Sequence, residues 1–99
     1  MNIEKLKVAT KNPKALVEEI IEKMDSKSIR SWKYEDDLLY HQGVQYKEHI
    51  NFSYNIIDEK SIIEFTLHSD GNSFAESKAW HLFESMLQRH FSDIVEIIK

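Results

Sequence analysis

The side chains best suited to chemistry near neutral pH are five histidines, His41, His49, His68, His81 and His90. Imidazole is the one side chain that titrates unperturbed in that range. His81 and His90 fall nine residues apart in one helical pattern, which at about 100° per residue sets them on opposite sides. They cannot share a metal. His90 lies among Phe83, Met86 and Leu87, so its expected role is a hydrogen-bonded core histidine near a helix C-terminus. His41, His49 and His68 fall at strand positions, and a three-histidine site would require a register that brings them together.

The densest carboxylate run, Glu35-Asp36-Asp37, sits at a predicted turn, as do Asp58-Glu59 and Asp70. Neighbouring side chains of an extended chain alternate sides, so three consecutive acids rarely converge on one cation. They read as a solvated turn. Glu64 is the single strand-interior carboxylate suited to general acid work, and alternation places it on the outer face. With only Gly43 and Gly71, no glycine-rich phosphate loop is possible, and no Gly-x-Ser-x-Gly occurs. Cysteine is absent, which removes disulfides, thiolate metal sites and thiol nucleophiles together. The sequence therefore argues against an enzyme, and no catalytic residue, metal or cofactor is expected.

The elements that would position these groups follow from periodicity. Asn12-Pro13 is a helix start, a capping side chain followed by proline where no amide bond is lost. Leu16, Val17, Ile20, Ile21 and Met24 make the apolar stripe of a helix ending near Asp25. Trp32 and Tyr34 then share one face of a strand. Glu35-Asp36-Asp37 turns into a short strand over 38–41, while 44–48 has no clear period. Ile50, Phe52, Tyr54 and Ile56 alternate cleanly, Asp58 to Ser61 closes a hairpin, and Ile63, Phe65 and Leu67 form the inner row of the next strand. Ser73-Phe74-Ala75-Glu76 has a capping-box pattern opening a helix whose apolar face carries Ala75, Ala79, Leu82, Phe83, Met86, Leu87 and Phe91. Leu6-x-Val8 and the run 94–98 fit either an edge strand or a helix end.

Polar outer rows imply a sheet covered on one side. The expected fold is thus one α+β domain over residues 1–99. It is a two-layer sandwich ordered helix, antiparallel sheet of three to four strands, helix, with both helices on one sheet face.

The order helix, three strands, helix resembles the double-stranded RNA-binding domain. Asn12-Pro13-Lys14-Ala15-Leu16 is similar to the opening of that domain's first helix, and Asp70-Gly71-Asn72-Ser73 with Ala75, Lys78 and Ala79 to the start of its second. The resemblance implies phosphate contact through a lysine cluster at that helix start. This chain has Glu76 and a single Lys78 there, so nucleic acid is not the expected partner. The patterns Ile29-x-x-Trp32-x-Tyr34-x-Asp36 and His81-x-Phe83-x-x-Met86-Leu87-x-x-His90-Phe91 resemble small bacterial proteins of no assigned activity, which implies a bacterial, cytoplasmic setting.

Charge points to a protein partner. Residues 1–33 hold eight basic and five acidic side chains, whereas residues 34–72 hold two and eight. An acidic middle favours a basic protein and repels nucleic acid. Tyr46 and Trp80 lie off the cleanest stripes and are expected to be exposed anchors, as aromatic residues often are at interfaces. The expected function is a small protein-binding module such as an inhibitor, immunity-type factor or regulator. Glu35, Asp36, Asp37, Tyr40, Tyr46 and Trp80 form its expected contact surface, and a small-ligand binder or enzyme is the alternative. The first eight residues do not read as a signal peptide, and no apolar run approaches a membrane span.

Overall fold

The computed structural model describes residues 5–98. Helix α1 (Pro13–Asp25) starts where the sequence dictates. The Asn12 side chain accepts a hydrogen bond from the Ala15 amide at 3.1 Å, meeting one of the helix's unpaired donors. Leu16, Val17, Ile20 and Met24 form its buried stripe. Beyond Asp25 the Ser26 amide closes on Glu22 and Lys27 takes a left-handed φ of 67°, which turns the chain toward buried Ile29.

Six strands follow the order β2-β3-β4-β5-β1-β6, every pairing antiparallel. They are β1 (Lys5–Ala9), β2 (Trp32–Glu35), β3 (Leu38–His41), β4 (Ile50–Ile57), β5 (Ile62–Ser69) and β6 (Glu96–Ile98). The expected three to four strands, and the expected helix-first order, are corrected here. The missing strands are the two terminal segments, because Leu6 pairs with Phe65 and Val8 with both Ile63 and Ile97. Their partners lie far along the chain, so no local signal distinguishes a strand from a frayed helix.

Register aligns one apolar row across the sheet. Ile63 lies between Val8 and Ile56, and Phe65 between Leu6 and Tyr54, while Phe52 joins Leu67 to Leu39. The opposite row carries Lys5, Lys33, Asn51, Ser53, Glu64 and Thr66, with Lys5 and Glu64 paired at 3.5 Å. One face is apolar and the other polar, as an antiparallel sheet covered on one side should be.

Helix α2 (Ser73–Phe91) is capped by Asn72 rather than Ser73. The Asn72 side chain accepts from the Ala75 amide at 2.9 Å, and Gly71, with φ 95°, supplies the left-handed step before it. Displaced from the expected capping box, Glu76 instead accepts from the Ser69 hydroxyl. Phe83 is the fully buried centre of the helix's apolar face. Its ring lies 4.5 Å from Phe52, 4.7 Å from Phe65 and 5.5 Å from Trp32, centroid to centroid. The apolar row of the sheet and the buried stripes of both helices form one core. No polar side chain is buried among the described residues, so shape rather than hydrogen bonding arranges that core.

The short β2–β3 hairpin offers a direct test of register. Leu39 is buried in the apolar row and Leu38 is half-buried on the outer face. Leu39→Ala is expected to cost about 2–5 kcal/mol in urea unfolding and Leu38→Ala roughly 1 kcal/mol or less. A slip by one residue would reverse the order.

Candidate functional site

The acidic run is the tip of the β2–β3 hairpin. Asp36 and Asp37 are its two central residues, with φ of 53° and 65°. Two successive left-handed residues are what a type I′ turn needs to match strand twist, and aspartate tolerates that region better than branched residues. The Tyr34 hydroxyl donates to Asp37 Oδ1 at 2.9 Å. That bond, followed by burial and the neighbouring Tyr54, pushes the Tyr34 hydroxyl well above the ordinary phenol range. It stays protonated and braces the turn. On the outer face Glu35 pairs with Lys33 at 2.6 Å, which raises the Lys33 pKa chiefly through that hydrogen bond. Tyr40 stands opposite Lys33, half-buried.

Because successive strands alternate direction from β2 to β5, the 3₁₀ turn Asp58–Lys60 lies at the same end of the sheet. Asp58 and Glu59 are exposed there alongside Glu35, Asp36 and Asp37. Among the described residues, Asp36, Asp58 and Glu59 make no ion pair within 4 Å.

The two aromatic anchors are not the exposed residues they were expected to be. Tyr46 is half-buried at the opposite end of the sheet, edge-on to His41 at 5.0 Å and stacked on Phe74 at 5.9 Å. Gly43 makes this packing possible, since a Cβ there would lie 3.0 Å from both His41 Nδ1 and the Tyr46 ring. The exposed apolar side chains at that end are Val44 and Phe74, at 84% and 53%. Trp80 is half-buried against Phe52 at 5.1 Å. The six expected contact residues therefore divide. Glu35, Asp36 and Asp37 form the tip with Tyr40 beside it, Tyr46 lies at the far end, and Trp80 belongs to α2.

Nor do the strand histidines converge. His49 pairs with Asp70 at 2.7 Å, and that bond, with the Asn72 amide, holds the Asp70 carboxyl below its usual range. His68 bonds Ser53 at 2.8 Å. His41 Nδ1 accepts from the Gly43 amide at 2.9 Å, and its ring stands edge-on to Trp32. Among the described residues no three potential ligands are grouped to hold a metal ion.

The described residues also form concavities, of which two stand out. A groove of about 670 Å³ runs along the start of α1, the 3₁₀ turn and the chain before β6. A cleft of about 380 Å³ lies between the α1–β2 connection, the end of β3 and the second half of α2, and Arg30, His41, Arg89 and His90 all line it. The His90 side chain, which lines this cleft, has no hydrogen-bond partner among the described residues, contrary to expectation. The cleft's four basic groups come from three separate stretches of chain, Arg30, His41 and Arg89-His90, so sequence spacing gave no sign of them. Burial lowers the pKa of both His41 and His90, and Lys23 and Arg89 lower His90 further.

Compared with known protein families, curated proteins and solved structures, the chain matches none of them.

The two histidines give stability a definite pH dependence. A histidine whose pKa is lowered by folding binds fewer protons folded than unfolded. Its contribution is full above the ordinary value of 6.5 and is lost as pH falls below it. The urea midpoint of wild type is expected to decline between about pH 7.5 and 5.5. His41→Gln with His90→Gln should flatten that decline, and a wild-type midpoint constant over this range would contradict the assignment.

Proposed function

We propose that the chain is a protein-binding module, an inhibitor, immunity-type factor or regulator, that meets a basic partner with the acidic end of its sheet. The observation carrying this reading is the tip itself. Asp36 lies exposed, with no ion pair among the described residues, on a two-residue turn that the Tyr34–Asp37 bond braces. Exposed Asp58 and Glu59 share that end of the sheet. Carboxylates on a fixed turn lose little freedom on binding, and an end that stays net negative despite Lys60 steers a basic surface into encounter.

The two-layer reading belongs with this proposal. With both helices on the apolar face, the hairpin tip and the polar face stay open to a partner. No helix among the described residues is long and apolar enough to cross a membrane. A cysteine-free chain suits a reducing cytoplasm, which is where this reading places the protein. The same acidity disfavours duplex nucleic acid.

The test leaves Asp37 in place, since it holds Tyr34. Once a basic partner has been isolated, association of wild type is compared with that of Asp36→Lys combined with Glu59→Lys, at low and at high salt. The variant's on-rate is expected to fall about tenfold at low salt and to approach wild type at high salt, with dissociation and the urea midpoint little changed. Equal on-rates at low salt would remove the acidic end from the function.

A further inference from the structure

The cleft beside α2 has a chemistry opposite to that of the hairpin tip. The sequence has 17 acidic residues against 13 lysines and arginines, yet no carboxylate lines this cleft. Arg30 enters from the α1–β2 connection, Arg89 and His90 from α2, and His41 from the end of β3. Among the described residues neither arginine makes an ion pair. Lys23 of α1, whose partner is Glu19 at 3.9 Å, adds positive potential at His90.

The charged groups of the lining have one polarity, and its serines, Ser28, Ser31 and Ser85, can donate as well as accept. His41 Nδ1 accepts from the Gly43 amide, so in the neutral ring the proton sits on Nε2, which acts as a donor. No protein acceptor meets that Nε2 among the described residues. Guanidinium groups only donate, and the fork of each matches an oxyanion. Trp32 and Met86 are buried residues at the cleft wall. The volume of about 380 Å³ falls in the range of small-molecule sites, which pair apolar walls with a few fixed polar groups.

We propose that this cleft binds a small organic phosphate, with Arg30 and Arg89 as counter-charges to the phosphate group and the Trp32–Met86 wall against its apolar part. A phosphate dianion matches two guanidinium groups in charge and offers the acceptors that both arginines and His41 Nε2 can meet. The site is separate from the acidic tip, and either can fail without the other.

Phenyl phosphate is the probe, followed by backbone amide NMR at constant ionic strength, with inorganic phosphate, benzoate and sodium chloride in parallel. Saturable shifts at residues 28–32, 41 and 85–90 are expected with phenyl phosphate, with inorganic phosphate weaker because it lacks the ring. Arg30→Gln with Arg89→Gln should weaken binding at least about tenfold, since charge-assisted hydrogen bonds are lost. Both arginines are exposed, so the variant's urea midpoint should stay near wild type, which separates lost binding from lost folding. Absence of saturation at millimolar phenyl phosphate, or equal binding by the double variant, would overturn the proposal. Benzoate binding as tightly would overturn the phosphate assignment, and equal shifts with chloride would show ionic screening only.

Discussion

The packing of Phe83 against Phe52, Phe65 and Trp32 is the interaction on which the rest of this structure depends. These partners come from β4, β5 and β2, so one side chain of α2 ties together strands that sheet pairing joins unevenly. Eight residue pairs align β4 with β5, whereas one pair, Leu39 with Phe52, aligns β3 with β4. Trp32 adds a second hold on the β2–β3 hairpin, meeting Phe52 at 5.6 Å and Phe83 at 5.5 Å. Aromatic pairs contribute about 0.5–1.5 kcal/mol beyond the area they bury and prefer particular ring angles. With no polar side chain buried among the described residues, those angles replace hydrogen bonds in giving the core its orientation.

Both charged features hang from that hairpin. Its first residue, Trp32, is at once a member of the aromatic core and part of the wall of the basic cleft. Its turn, Asp36-Asp37, carries the acidic tip. The hairpin is four residues per strand, so about 10–13 Å of extended chain separates opposite charges. Lys33 and Glu35 neutralise each other between them. Such an arrangement keeps a positive cleft and a negative tip from cancelling, and it makes each sensitive to how Trp32 sits.

What the sequence disclosed follows the range of the forces involved. Helix α1 and the β4–β5 hairpin were legible because Asn12-Pro13, the 3.6-residue stripe and the run from Ile50 to Ile56 are local signals. The acidic tip was legible for the same reason, since a two-residue turn is set by the residues in it. Strands β1 and β6 were not, because Leu6 and Val8 become strand residues only when Phe65 and Ile63 lie beside them. Tyr46 misled because residues 44–48 form tight turns, with the Tyr46 and Lys47 amides both bonding to the Gly43 carbonyl. That folds the ring back onto His41. The cleft was invisible, since Arg30, His41 and Arg89 meet only after α2 has crossed the sheet.

Trp32 and Phe83, 5.5 Å apart between ring centroids, act together to fix the hairpin against α2. A double-mutant cycle tests it most directly, using Trp32→Leu, Phe83→Leu and the pair, each measured by urea unfolding. The double variant is expected to lose less than the sum of the single losses, by about 0.5–1.5 kcal/mol. Additivity within about 0.3 kcal/mol, the behaviour of sites that do not touch, would contradict it.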